Sequence, residues 1–279
     1  KRYADIAIDR IGTSRIGFVG GEPTVHPDLL EMMHYVIYQK GIGASVFTNL
    51  LGTDTTINGM SSILKKNENI TVIWNNSEFY EQFSKRQQKV TLDNASKLHD
   101  ARPNSVLFSW TYRKGALAQP FIDASKITGI NTMRFALNVS EMHELADSAE
   151  VEKLITQLTI LKDNGFVLLN DNCGYIPLPP HIKLIQYLKI TSLFDLFGRC
   201  SRAAIDVLPD GNIIPCLPYY DEAKNLHIET ISSVEHLRDA LGEYYGPQAK
   251  PIPNTAAKGL CPAHYGREKP TEQQVVNFL

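Results

Sequence analysis

Little in this sequence is in excess. Four cysteines among 279 residues are too few for a disulfide scaffold, which leaves reduced thiols or metal ligands as their use. The 28 Lys and Arg nearly balance the 30 Asp and Glu, for a formal charge of -2, and no long run of one sign occurs. That excludes the basic field of a nucleic-acid-binding protein, so no nucleic-acid partner is expected. The apolar runs are short and nothing at the start has the form of a signal peptide, so no membrane span and a cytoplasmic setting are expected. There is no internal repeat. Methionine is missing from position 1, where Lys1 stands, and the natural protein is expected to begin earlier. Apolar residues are plentiful, at 43% of the chain, enough for one large domain with an appendage or for two domains.

The most informative stretch runs Arg15-Ile-Gly-Phe-Val-Gly-Gly-Glu-Pro-Thr-Val-His-Pro-Asp28. A short apolar run ends in Gly20, Gly21, Glu22 and Pro23, and a helical pattern starts at about Asp28, so these four residues lie where a strand hands over to a helix. In α/β folds that is a ligand-binding position. Paired glycines take away the Cβ atoms that keep a ligand off the backbone, Glu22 is an acceptor suited to an ammonium group, and Pro23 fixes the exit direction. A tight turn with a solvated glutamate is the plainer alternative.

The cycle then repeats. Helical spacing from Leu29 to Ile37 stops at Gly41, and a buried-strand pattern from Ala44 ends in Thr48 and Asn49. Thr55 to Lys66 reads as a helix, Ile70 to Asn76 as a strand, and Ser77 to about His99 as a polar helix. Ser105 to Thr111 is a strand, Pro120 to Lys126 a short helix, Thr132 to Asn138 a strand, and His143 to Asn164 a helix. Alternation without hairpin signals argues for a parallel sheet covered by helices, with five strands between Arg15 and Asn138. The polar residues at the strand ends, Thr48, Asn49, Asn75, Ser109 and Asn138, would share a rim with Glu22, although such residues also commonly cap helices. One more strand-like run, Phe166 to Asp171, follows before the style changes to loop, with a helix from His181 to Leu188. The boundary is set near Asn164, giving units of 1–164 and 165–279.

The string strand-GGEP-T-x-H-P-D-L-helix resembles the second strand of radical S-adenosylmethionine (SAM) enzymes. The resemblance implies a partial (β/α)6 TIM-like barrel in which Gly20, Gly21, Glu22 and Pro23 hold the amino group of the SAM methionine. It also implies that Thr48, Asn49 and Asn75 contact its carboxylate and ribose. The family's C-x-x-x-C-x-x-C, which ligates the catalytic [4Fe–4S] cluster, occurs nowhere in the chain. Its ligands are expected outside these residues, in the loop after a first strand.

Cys200 and Cys216 flank Ile205 to Pro215, where two short β runs surround Pro209-Asp210-Gly211. This reads as a hairpin that brings the two sulfurs together. Cys261 follows later, in Cys261-Pro-Ala-His264. Thiolates gathered in this way suit iron or zinc, and three thiols without metal are the alternative. The spacing resembles the C-x(9–15)-G-x(4)-C opening of the SPASM and twitch extensions of radical SAM enzymes, as does the helix from Val234 to Leu241. That resemblance implies a small α+β extension with an auxiliary [4Fe–4S] cluster on Cys200, Cys216 and Cys261. Cys173 is ranked first for the fourth ligand because thiolate suits iron better than imidazole, His264 second, and an open site third. With three cysteines after residue 199, fewer than a full SPASM domain carries, at most one such cluster fits.

The implied function is an iron–sulfur oxidoreductase that cleaves SAM to a 5′-deoxyadenosyl radical for hydrogen abstraction from a peptide, a protein or a small molecule. A reducing partner such as flavodoxin or ferredoxin is implied with it. Tyr219, Tyr220, Tyr244 and Tyr245 could line a peptide path, although packing is the simpler use of tyrosines. Two rivals are a non-catalytic barrel that has lost its cluster loop and a zinc-stabilised α/β protein of unrelated activity.

Overall fold

A computed structural model describes residues 1–75, 82–137, 148–170, 184, 187, 205–214 and 226–241. After helix α1 (Arg2–Asp9) the chain alternates: β1 (Arg15–Phe18), α2 (Leu29–His34), β2 (Gly43–Thr48), α3 (Asp54–Lys66), β3 (Ile70–Asn75), α4 (Lys85–Ala101), β4 (Val106–Tyr112), α5 (Gln119–Thr128), β5 (Thr132–Leu137), α6 (Ser148–Asp163) and β6 (Val167–Asn170). The six strands pair in sequence order and all in parallel. A doubly wound sheet reverses its order at a switch point. Unbroken order with crossovers of one hand instead lays every helix on one face, and the sheet curls toward a barrel. This mixed α/β architecture agrees with the partial TIM-like barrel expected from the resemblance.

Residue alternation along the strands sorts the two faces. Val46, Val72, Trp74, Phe108, Trp110 and Phe135 are buried in one cluster with Met33, Ile57, Leu64, Leu98, Phe121 and Leu158 of the helices. Each such side chain contributes about 1.5–3 kcal/mol on burial. Aromatic rings run across β3 and β4 within this layer, Trp74 stacking on Phe108 at 5.1 Å and Phe121 meeting Phe108 edge-on at 5.6 Å. The intervening residues, among them Phe47, Asn75, Ser109 and Arg134, face the concave side.

Two findings extend the sequence reading. The run at Phe166 to Asp171 supplies β6, which pairs with β5 through Met133 and Leu168, so the sheet continues past residue 164 and counts six strands. Leu184, which lies in the expected helix from His181 to Leu188, is buried in the barrel core as well.

The second finding concerns α1. Ile6 is buried with Ile213, Ile228, Ile231, Leu237 and Leu241 in a separate apolar cluster. The partners come from a hairpin, β7 (Asp206–Val207) and β8 (Ile213–Ile214), a 3₁₀ turn (Ile228–Thr230) and helix α7 (Val234–Leu241). Arg10 donates to the carbonyls of Glu229 and Ile231 at 3.3 and 3.1 Å. At the hairpin turn Gly211 has φ +89°, and a Cβ there would sit 2.2 Å from His227 Nε2, so glycine is required twice over. The other side of α1 is tied to the barrel: Lys40 pairs with Asp5 at 2.7 Å and Asp9 at 3.2 Å, and Tyr35 donates to Asp5. Exposed ion pairs contribute less than about 1 kcal/mol each. The buried Ile6 cluster therefore does most to hold α1 in place.

Candidate functional site

The C-terminal ends of β1 and β2 carry the site. Glu22 caps the 3₁₀ turn Pro23–Val25, and its carboxylate collects donors from both loops. Oε1 accepts from the Thr24 N–H at 3.0 Å, from the Thr24 hydroxyl at 2.5 Å and from the Thr48 hydroxyl. Oε2 accepts from the Asn49 N–H at 2.7 Å. A carboxylate has about four acceptor directions, two on each oxygen. Oε1 is saturated by these donors, whereas Oε2 can take another.

The second loop is built to present that Asn49 N–H. Leu50 is fully buried yet has φ +61°, a left-handed conformation that a branched side chain adopts only under constraint. Its N–H donates to Thr48 Oγ1 at 2.9 Å, and its carbonyl accepts from the buried Asn94 amide, also at 2.9 Å. Gly52 lets the loops touch, since a Cβ there would lie 2.6 Å from Thr24 Cβ. Sequence reasoning passed over Thr24, Leu50, Gly52 and Asn94, because no local pattern announces a contact between two loops.

Gly20 and Gly21 precede Glu22 with φ of +93° and +52°, and a Cβ built on either meets nothing within 4 Å. Both are exposed, so their backbone is open to an incoming molecule beside the carboxylate. Of the expected site residues the structure thus brings together Gly20, Gly21, Glu22, Pro23, Thr48 and Asn49. Thr48 is only 1% exposed and its hydroxyl is committed to Glu22 and to Leu50, so its place is behind the carboxylate, holding it. The Asn49 side-chain oxygen accepts from the Leu51 N–H at 2.9 Å, a local turn. Asn75 is exposed at the end of β3. Its register partner Ser109 is buried and accepts from Arg134 at 3.0 Å.

No family profile and no curated protein sequence matches this chain. Solved structures do match. The fold resembles that of Streptococcus suis SuiB. With SuiB bound to S-adenosylmethionine the alignment covers 92% of this chain and 59% of SuiB, at a TM-score of 0.55 and 17% identity. With SuiB bound to the precursor peptide SuiA it covers 90% and 59%, at a TM-score of 0.53 and 16% identity. The chain therefore spans less than two thirds of SuiB, and at this identity what the two share is the fold.

The expected metal ligands Cys173, Cys200, Cys216, Cys261 and His264 lie outside the described residues, as do Asn138 and the tyrosines at 219, 220, 244 and 245. The hairpin between Cys200 and Cys216 is present as β7 and β8. Among the described residues no group of three or more His, Cys, Asp or Glu is gathered for a metal, and no helix is long and apolar enough to cross a membrane.

A second carboxylate, Glu150 at the start of α6, is 1% exposed. It accepts from the Tyr112 hydroxyl at 2.8 Å, the Gly115 N–H at 3.1 Å and Lys153 at 3.3 Å. Burial alone would raise its pKa, but these donors outweigh that and hold it below the usual carboxylate value. Burial, then the Glu150 carboxylate, pushes the Tyr112 phenol well up. This pair ties the loop after β4 to α6 and is read as structural.

Proposed function

We propose that this chain is the SAM-binding barrel of a radical SAM oxidoreductase that acts on a peptide or protein, with a small extension holding an auxiliary [4Fe–4S] cluster. The observation that carries the reading is Glu22: a carboxylate clamped by donors from two loops, with acceptor capacity left on Oε2, beside an open pair of glycines.

A methionine ammonium carries three donors and a positive charge. Glu22 Oε2 and the backbone of Gly20 and Gly21 suit it in both respects. Because Thr24, Thr48 and Asn49 already orient the carboxylate, little side-chain freedom is lost on binding. Asn75, at the rim of β3, is within the group of residues assigned to the nucleoside. When bound, SAM and a reducing cluster together supply a 5′-deoxyadenosyl radical that removes a hydrogen atom from the substrate. The cluster ligands are assigned to residues outside this chain, and an electron donor of the flavodoxin or ferredoxin kind follows from the same chemistry.

For the extension, Cys200, Cys216 and Cys261 with Cys173 are the proposed ligands, and the β7–β8 hairpin supports the pairing of the first two. A peptide substrate is favoured by the likeness to a protein crystallised with its precursor peptide. The reduced thiols that such clusters need fit a cytoplasmic setting.

The test is made on anaerobically prepared full-length protein. Reductant and SAM should yield 5′-deoxyadenosine, with about four irons per chain for one cluster and about eight for two. Iron-loaded protein that binds no SAM refutes the proposal, and stoichiometric zinc in place of iron would favour the zinc-stabilised alternative.

A further inference from the structure

The two supports of the Glu22 carboxylate meet at one residue. Thr48 gives its hydroxyl hydrogen to Glu22 Oε1, and the same hydroxyl accepts from the Leu50 N–H at 2.9 Å. Asn49, whose N–H reaches Oε2 at 2.7 Å, stands directly before Leu50 in the chain. Leu50 therefore backs both oxygens.

Its conformation is not one that a leucine takes unaided. At φ +61° the Cβ crowds the carbonyl that follows, so the surroundings have to hold the turn. The buried side chain anchors Leu50 on one side. On the other, its carbonyl accepts from Nδ2 of Asn94 on α4 at 2.9 Å, 44 positions away.

Asparagine is out of place there by local criteria. It lies inside a 17-residue helix, where it is a poor helix former, on the buried face shared with Thr91, Ala95 and Leu98. It is only 8% exposed, and a polar group taken from water needs a partner to offset that loss. A leucine would suit both the helix and the core better. What it would lack is the donor for Leu50.

We propose that Asn94 is a positioning residue for the Glu22 site, an assignment that rests on the SAM-binding reading above. It acts through Leu50 and not on the ligand. By fixing the left-handed turn it fixes the Thr48 hydroxyl and the Asn49 N–H, and through them the orientation in which Oε2 meets an ammonium. Without that donor Leu50 relaxes toward negative φ, and the carboxylate has to be ordered at the moment of binding.

Two variants remove the donor. Asn94→Asp is isosteric and sets an oxygen against the Leu50 carbonyl, and Asn94→Leu buries no charge, which covers the case in which Asn94→Asp fails to fold. Calorimetric titration of the full-length iron-loaded protein compares SAM with 5′-methylthioadenosine, which keeps the nucleoside and lacks the ammonium. Each variant should lose about two- to thirtyfold in SAM affinity and keep the wild-type affinity for methylthioadenosine. Adding Asn94→Asp to Leu50→Gly should cost no further SAM affinity, because glycine enters the left-handed region unaided. Equal weakening of both ligands would mean that Asn94 supports only the fold, and unchanged SAM affinity would mean that the turn holds without it. Either result overturns the inference.

Hydrogen exchange on SAM-free protein reads the same loop independently of SAM. In the variants the Asn49 and Leu50 amides should exchange faster, while those of Ala44 and Val72, bonded to the carbonyls of Asn69 and Ser105, stay as in the wild type. Amides at 49 and 50 that keep their protection overturn the inference. A wild type that binds no SAM, with variants that show this faster exchange, refutes the proposed function and upholds the hold of Asn94 on the Glu22 loops.

Discussion

Replacing Glu22 by glutamine exchanges one oxygen for an amide nitrogen, and the hydrogen bonds around it set the cost. The carboxylate accepts from Thr24 and Thr48 on one oxygen and from the Asn49 N–H on the other. An amide has one acceptor end, so in its better flip the glutamine keeps Thr24 and Thr48 and sets its NH2 against the Asn49 N–H. A donor left facing a donor at a part-buried site costs about 1–3 kcal/mol. At roughly 2–4 °C per kcal/mol for a chain of this size, Tm should fall by about 2–12 °C. Glu22→Ala, which strands the donors of both loops, should lose more, about 3–5 kcal/mol. SAM at a hundred times its Kd should stabilise the wild type by about 2.7 kcal/mol, and Glu22→Gln should receive clearly less because the ammonium loses its counter-charge. Thermal denaturation with and without SAM measures both effects. A Glu22→Gln protein that melts with the wild type and gains as much from SAM would refute the reasoning about this carboxylate.

Three further outcomes are expected. Gly21→Ala should lose about 1–2 kcal/mol of stability through its positive φ alone, as should the control Gly12→Ala at φ +77°, while only Gly21→Ala weakens SAM binding in a titration. Glu150→Gln should flatten the acid limb of a Tm-against-pH curve. With its pKa held below the ordinary 4.5, the carboxylate contributes stability above that value and loses it as pH falls through the lowered one, so equal acid slopes would contradict the Tyr112–Glu150 account. Ile6→Ala removes a core side chain shared by α1 with Ile213, Ile228, Ile231, Leu237 and Leu241 and should cost about 2–4 kcal/mol locally. Hydrogen exchange should then rise in 205–214 and 226–241 while β2 to β5 stay protected, and exchange rising evenly over both would mean one core and not two.

Much of the fold was legible because strand and helix periods differ. Ile70 to Asn76 reads as a strand and is one over Ile70–Asn75, and Val234 to Leu241 is the helix expected. The Pro209-Asp210-Gly211 turn is equally plain, since Pro-Asp-Gly between two short β runs is a tight-turn pattern, and Gly211 there takes φ +89°. The allegiance of α1 was not legible: its apolar residues show only that one face is buried, and nothing local says that the face meets residues more than two hundred positions away. A polar residue that ends a strand, as Thr48 does, reads in the sequence as a ligand contact. Its burial behind Glu22 depends on how the loops after β1 and β2 meet.

From the sequence alone came the alternating elements, the two glycines with their carboxylate, and the hairpin between Cys200 and Cys216, because each follows from local periodicity or from the backbone demands of single residues. Only the tertiary structure decided which donors hold Glu22, that Leu50 is held in a left-handed turn to present the Asn49 N–H, and that Arg134 spans from β5 to Phe47 on β2. Those contacts join residues far apart in the chain. Their distances are set by the curvature of the sheet and the packing beneath it, neither of which is written in any short stretch of residues.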